Sequence, residues 1–304
     1  MKHAPSTAPR SWHPRRIAYG STALAAVLLV AAPPTPLAAE PATPPHGAAP
    51  NPWIRNAAAA PTVLAHRGAS SAAPENTLVS DEVARRGGAT WIENDVQPSK
   101  DGVPYVLHDP TVDRTTDGTG PIRSLTADQL DALDAGSWFA PAYAGTRIPT
   151  LAAQLADLRE RGGNLLLEIK GRHGHAEVAR IVQDIREQSM SGRVFVQSFE
   201  IPSLRYVHEL APDLPIGLLR SSLDADPVAL AQELGLTAYN VSDTALAARP
   251  HVVGDLHAAG VAVNVWTVDK PDRWKALDSL GVDGIITNRP TELTGWIAGT
   301  TPTG

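Results

Sequence analysis

From Thr62 onward the chain alternates short apolar, β-rich runs with amphipathic helical stretches, a pattern that restricts it to βα units and a parallel sheet. Runs with strand character are Val63–His66, Trp91–Val96, Pro104–His108, Leu165–Lys170, Val194–Phe199, Ile216–Arg220, Ala238–Ser242, Val263–Val268 and Gly284–Thr287. Helical stretches include Leu78–Arg86, Ala152–Arg161, Ala176–Glu187, Ala229–Leu234, Val252–Ala259 and Arg273–Leu280. Such a sheet either closes into a TIM (β/α)8 barrel or stays open and doubly wound. The barrel is favoured because polar residues recur at the C-terminal ends of many strands, where barrel active sites are assembled. There are more strand runs than the eight places of a barrel, so at least one must be short, peripheral or no strand at all.

One connection stands out. Between Asp95 and His108 there is no room for a crossover helix, so Gln97 to Gly102 is expected to return down the barrel, with Lys100-Asp101-Gly102 as its turn. That return would bring Glu93, Asp95 and His108 to one rim. The long excursion from Asp109 to Thr150 is expected to form a cap that shapes the substrate site.

Composition excludes several classes of function. A net charge of −6 argues against sequence-independent nucleic-acid binding, which needs a basic face. With no cysteine, the chain has no disulfide, thiolate metal site, cysteine nucleophile or lipid-anchored export signal. At the N-terminus, Arg10, Arg15 and Arg16 precede an apolar run from Ile17 to Ala32, and the segment ends Leu37-Ala38-Ala39. This is the order of a secretory signal peptide over residues 1–39, so a secreted, extracytoplasmic protein is expected. A membrane anchor is the alternative, but the run has only 16 residues and includes Tyr19, Gly20, Ser21 and Thr22. A span needs ~20 apolar residues. The general and twin-arginine export routes both remain open. Residues 40–60, rich in Pro and Ala, are expected to be a disordered spacer before a domain over 61–299.

The chemistry gathers at strand ends. His66-Arg67-Gly68 offers an acid or base, a fork for two phosphate oxygens and a backbone that a ligand can approach. In Pro74-Glu75-Asn76-Thr77, Asn76 or Thr77 can cap the helix from Leu78, and Glu75 is left between metal ligand and structural role. Glu93 and Asp95, two apart on a strand, share one face and repel unless a cation lies between them. With oxygen ligands on offer and no cysteine, a hard cation such as Ca²⁺ or Mg²⁺ is favoured. Glu168 and Lys170 share a face at the end of Leu165-Leu166-Leu167, either as an ion pair or as a third ligand beside a phosphate-binding lysine. His108 brings a second imidazole, with Asp109 beside it to orient the cap or a helix terminus. Phe199 and Trp266 offer surface for an alcohol group, although core packing accounts for them nearly as well. The histidines at 173, 175, 208, 251 and 257 receive no function.

The segment from about Val63 to Pro290 resembles the glycerophosphodiester phosphodiesterase family. The resemblance rests on His66-Arg67-Gly68, Pro74-Glu75-Asn76-Thr77, Glu93-x-Asp95-Val96, Lys100-Asp101-Gly102, His108-Asp109, Arg114-Thr115-Thr116, Leu167-Glu168-Ile169-Lys170, Ser198-Phe199, Trp266-Thr267-Val268 and Ile286-Thr287-Asn288, in family order. It implies a TIM barrel with a small insertion after the third strand, here about 109–150. It further implies one divalent metal, Ca²⁺ or Mg²⁺, on Glu93, Asp95 and Glu168, His66 and His108 as the acid/base pair, and Arg67 and Lys170 on phosphate. The activity so implied is hydrolysis of small-molecule glycerophosphodiesters to sn-glycerol 3-phosphate and an alcohol. No nucleic-acid partner is expected, and no membrane anchor once the signal is cleaved. The alternatives are a phospholipase D, a lysophospholipase or a wall-teichoic-acid-directed enzyme on the same barrel, and a non-catalytic binding module. Asn288 stands where the family usually has aspartate, which puts a peripheral contact in doubt.

Overall fold

Eight parallel strands close into a barrel in the computed structural model, which describes residues 50–300. The expected signal peptide (1–39) and the first part of the expected spacer (40–49) lie outside the described residues. The elements begin with β1 (Thr62–His66), α1 (Leu78–Arg86), β2 (Trp91–Pro98), β3 (Pro104–Val106), α2 (Ala127–Asp131) and α3 (Leu151–Arg161). They continue with β4 (Asn164–Ile169), α4 (His175–Glu187), β5 (Val194–Ser198), α5 (Ile201–Leu210), β6 (Ile216–Arg220), α6 (Pro227–Leu234) and β7 (Ala238–Ser242). The chain closes with α7 (Asp243–Ala248), α8 (Val252–Ala258), β8 (Ala262–Trp266), α9 (Pro271–Leu280), β9 (Gly284–Thr287) and α10 (Pro290–Thr300). Strand β1 pairs in parallel with both β2 and β9, and this double pairing closes the ring. Most strands are buried on both faces, which is why they read as near-continuous apolar runs.

The surplus run is β3. It lies antiparallel on β2 and outside the ring, with Val96 opposite Val106 and Pro98 opposite Pro104. The direction of the hairpin therefore differs from expectation. Gln97 and Pro98 still belong to β2, which runs past the end of β4, and the descending segment begins only at Pro104. Ser99 sets the turn by donating its backbone N–H to Val103 O at 2.9 Å. The descent still returns the chain to the level of the carboxylates, where the Leu107 N–H meets Asp95 O at 2.8 Å. The insertion follows β3 and encloses a core of its own, with Tyr105, Val112, Ile122, Leu130 and Ile148 at its centre.

Within the expected spacer, residues 51–55 make contacts with the domain. Trp53 packs edge-on against Trp91 (4.9 Å between ring centres) and Phe195 (4.7 Å), beneath Leu64 and Leu166 in the barrel floor. Asn51 Nδ2 donates to Thr237 O and Gly260 O at 2.8 and 2.9 Å, and the Arg55 N–H donates to Asp283 Oδ1 at 2.8 Å. One tryptophan, the Asn51 side chain and the Arg55 N–H thus dock residues 51–55 on the domain.

Behind β2, on the face turned away from the barrel interior, three polar side chains are buried together. Asn94 Nδ2 donates to Gln154 Oε1 at 2.5 Å, and Gln154 Nε2 donates to Asp81 Oδ2 at 2.7 Å. Asp81 is fully buried, and burial pushes its carboxyl up to about 7. A carboxyl raised in the folded state adds stability that is complete below its unfolded value and fades as pH rises through the folded value. Asp81→Asn is therefore expected to stabilise the fold increasingly between about pH 4 and pH 7, by roughly 2–3 kcal/mol more at pH 8 than at pH 5. Thermal melts across that range test this, and a pH-independent change in Tm would contradict it.

Candidate active site

At the C-terminal mouth of the barrel, period-two geometry turns Glu93 and Asp95 inward, and strand register sets Asp95 beside Glu168. One oxygen from each of the three carboxylates lies within 4.8 Å of the others, and all three side chains are buried. At an effective dielectric constant near 20, each charged pair at that spacing costs on the order of 3 kcal/mol. Burial and then the Asp95 charge push Glu168 up to about 8, and burial with the Asp95 and Glu168 charges holds Glu93 well above the carboxylate range. Burial would raise Asp95 as well, but Arg67 and then Lys170 hold it down at about 2. Lys170 Nζ sits 3.3 Å from Asp95 Oδ1 and 3.0 Å from Glu168 Oε1, yet neither buried oxygen has an aligned hydrogen-bond donor. Three converging carboxylates with unfilled lone pairs fit a hard divalent cation.

The loop after β1 closes over this group through left-handed backbone. Arg67 (φ 56°) and Asn76 (φ 57°) both adopt it, at a strain of order 1–3 kcal/mol each. Hydrogen bonds to the carboxylates hold them there. The Arg67 N–H donates to Glu93 Oε2 at 3.0 Å, and Asn76 Nδ2 donates to Asp95 Oδ2 at 2.9 Å. Thr77 alone caps α1, so Asn76, read from sequence as a candidate cap, is instead part of the site. Gly68 is required here: a Cβ would fall 2.3 Å from Ser80 Oγ, and its φ is +77°.

Asn288 proves central rather than peripheral. Its Oδ1 lies 2.7 Å from His66 Nδ1, while its Nδ2 and N–H donate to the two oxygens of Asp269 at 2.7 and 2.8 Å. A carboxylate only accepts, so Asp269 fixes the amide with its oxygen toward His66. His66 must then carry its proton on Nδ1, which leaves Nε2 with a free lone pair. Burial, followed by the Arg67 charge, lowers His66 to about 4, so the ring is neutral at physiological pH.

On the other side, His108 Nδ1 lies 2.7 Å from Asp109 Oδ1, so Asp109 orients the imidazole rather than the cap or a helix end. Arg114, quoted in the sequence only as part of a motif, grips Asp109 through Nε (2.7 Å) and Nη2 (3.0 Å). The same guanidinium holds both oxygens of Glu75 at 2.8 Å. Glu75 in turn accepts from Arg67 Nη1 at 2.8 Å. Glu75 is thus paired with two arginines and stands outside the three clustered carboxylates. The insertion therefore reaches the site through Arg114, and among the described residues none from 109–150 lines the cavity as a substrate-shaping cap would.

The cavity has a volume of about 270 Å³, and His66, Arg67, Glu93, His108, Glu168 and Lys170 all border it. Phe199 and Trp266 form its apolar wall, packed edge-to-face at 5.5 Å, and Lys170 Nζ stands 5.8 Å from the centre of the Phe199 ring. A larger, open hollow of about 550 Å³ beside Asn51 and Trp53 has Asp213 as its one charged lining residue and gathers no cluster of acid–base groups. Every sequence-predicted site residue except Glu75 thus borders the cavity or, for Asp95, lies directly behind it. Arg114→Met is expected to lower turnover roughly 10- to 100-fold by loosening His108 and Arg67 together, with the fold retained. Steady-state kinetics beside a thermal melt test this, and unchanged kcat would show the clamp to be idle.

Comparison with known proteins agrees with this geometry. Residues 66–292 match the model of the glycerophosphoryl diester phosphodiesterase family. A glycerophosphodiester phosphodiesterase of Caldanaerobacter subterraneus is 38% identical over 235 residues, covering 76% of this chain and 95% of its own. One from Bacillus subtilis is 32% identical, covering 75% and 83%. Among solved structures, an Oleispira antarctica phosphodiesterase in complex with the product sn-glycerol-3-phosphate superposes with a TM-score of 0.74 at 30% identity, covering 79% of this chain and 97% of that one.

Proposed function

The chain belongs to the glycerophosphoryl diester phosphodiesterase family and is an enzyme of that activity, and we propose that it cleaves small glycerophosphodiesters to sn-glycerol 3-phosphate and an alcohol by acid–base catalysis between His66 and His108. The observation that carries this reading is the convergence of two separately oriented imidazoles, three carboxylates, Arg67 and Lys170 on one cavity. Glu93, Asp95 and Glu168 would hold one divalent cation, Ca²⁺ or Mg²⁺. When bound, that ion supplies positive charge against the non-bridging phosphate oxygens.

The protein's own groups account for the remaining steps. Arg67 and Lys170 draw the phosphate to the mouth and offset charge as it builds in an in-line displacement. The glycerol hydroxyl beside the phosphoester is an internal nucleophile favoured by proximity. The free Nε2 of His66 takes its proton, the bond from phosphorus to the leaving oxygen breaks, and His108 protonates the departing alcohol. Water then opens the cyclic glycerophosphate, with the two histidines exchanging roles. The Phe199–Trp266 wall receives the alcohol group.

Trp138, 39% exposed and packed edge-to-face against Phe139, is the observation that would suit a lipid-facing enzyme. It stands outside the cavity, whose insertion-side neighbour is the charged Arg114, and this favours small diesters. The test is release of sn-glycerol 3-phosphate from a panel of glycerophosphodiesters, lysolipids and polyglycerolphosphate, with and without chelator. Chelator-sensitive release from the small diesters is expected. Release confined to lysolipids or the polymer would move the substrate class, and none from any substrate would sink the proposal. His66→Ala and His108→Ala are each expected to lower turnover by roughly 10²- to 10⁴-fold with cation affinity nearly unchanged.

Export is proposed on residues 10–39 of the sequence. Mass spectrometry of protein released from cells is expected to find Glu40 at the N-terminus. Recovery of the intact chain in the membrane fraction would replace export with anchoring.

A further inference from the structure

Below the carboxylates, the barrel interior departs from the branched apolar filling usual in such barrels. Strands β5, β7 and β8 turn amides inward, and the amides are joined in one direction. Asn264 Nδ2 donates to Asn240 Oδ1 at 2.9 Å, Asn240 Nδ2 donates to Gln197 Oε1 at 2.8 Å, and Gln197 Nε2 donates to Glu93 Oε1 at 3.3 Å. Gln197 and Asn240 are buried. Glycines on neighbouring strands leave room for the row. A Cβ at Gly217 of β6 would fall 2.8 Å from Asn240 Nδ2, and one at Gly284 of β9 would fall 2.3 Å from Asn264 Oδ1.

The direction of the row is dictated from its upper end. With a cation in the cluster Glu93 is ionised, and an ionised carboxylate accepts and cannot donate, so Gln197 presents its amino group to Glu93, at 3.3 Å. Its oxygen then faces Asn240, which must answer with its own amino group, and the same logic orients Asn264. Aligned amides polarise one another, so the last donor is stronger than an isolated one. Glu93 is thereby held at both oxygens, by Gln197 at Oε1 and by the Arg67 N–H at Oε2. Its plane is fixed, with a lone pair on each oxygen left for the cluster. Buried amides contribute less to stability than a packed apolar layer, so the row is better explained by what it does for Glu93 than by packing.

We infer that Asn240 and Asn264 are positioning residues that act through Gln197 to fix the Glu93 carboxylate in its cation-binding orientation. This rests on the proposed reading of Glu93 as a cation ligand. The row then belongs to the supporting shell of the site, whose loss typically weakens metal affinity by about 10- to 100-fold.

A double-mutant cycle tests the inference, with Mg²⁺ and Ca²⁺ affinity measured by calorimetry on the purified chain and thermal melts as the folding control. Asn240→Leu is expected to weaken cation binding about tenfold, and Asn264→Leu to weaken it less. In a Gln197→Met background, Asn240→Leu is expected to add no further loss, because its route to Glu93 is already cut. Should Asn240→Leu unfold the chain, the same cycle with Asn264→Leu decides the matter. Parent-like affinity in the single variants, or losses that add in the double, overturns the row alone. A parent chain that binds neither cation overturns the metal reading and the row's role with it.

Discussion

Three carboxylates cannot share the mouth of a barrel unless their mutual repulsion is answered, and the rest of the site is organised around that fact. Glu93, Asp95 and Glu168 bring ligand atoms within 4.8 Å of one another, and among the contacts of the described residues two cations, Arg67 and Lys170, touch the group. Arg67 is shared further with Glu75. Two positive charges, one of them divided, leave the cluster short. Much of that deficit falls on Glu93 and Glu168, both pushed toward their neutral forms, while Asp95 keeps its charge between the two cations. A divalent ion would make all three carboxylates easy to ionise. This is the physical reason to read the cluster as a metal site rather than as a network of ion pairs.

The backbone around the cluster carries strain that the carboxylates themselves repay. Arg67 and Asn76 adopt left-handed backbone, and each is fixed by a hydrogen bond to Glu93 or Asp95. The strained loop and the charged cluster are thus mutually dependent. Rigidity comes from the barrel beneath, whose floor is filled by Leu64, Leu166, Phe195 and the docked Trp53. Apolar packing at one end and a charged, strained site at the other is the usual separation of stability from function in this fold.

Much of this was legible in the chain, for reasons that can be named. Spacing of two residues on a strand is a rigid rule, so Glu93 and Asp95 had to face one way. Apolar runs ending in charge marked Glu168 and Lys170, and two histidines at strand ends marked the rim. What stayed hidden depends on backbone direction or on distant partners. Asn76 looked like a helix cap because its left-handed φ has no sequence signal beyond asparagine itself. Asn288 looked peripheral because its oxygen is aimed by Asp269, 19 residues earlier in the chain. The hairpin after β2 was read one segment too early, since nothing local says that Gln97 and Pro98 continue a strand beyond its neighbour. The docking of Trp53 was masked by the proline and alanine around it. Arg114 stood in view as part of a motif, but its role needs the fold of the insertion to bring Asp109 and Glu75 within reach of a single guanidinium.

That shared guanidinium changes how the insertion should be understood. A cap that shaped the cavity would contribute lining residues, and none of the described residues from 109–150 does so. Arg114 instead joins the support of His108, through Asp109, to the support of Arg67, through Glu75. One side chain therefore links the groups that hold His108 and Arg67. The insertion carries a separate core centred on Tyr105, Ile122 and Leu130, so it can hold Arg114 still without help from the barrel interior. Through Arg114 the insertion ties Asp109, beside His108, to Glu75, beside Arg67. The apolar wall of the cavity, Phe199 and Trp266, comes from the barrel itself.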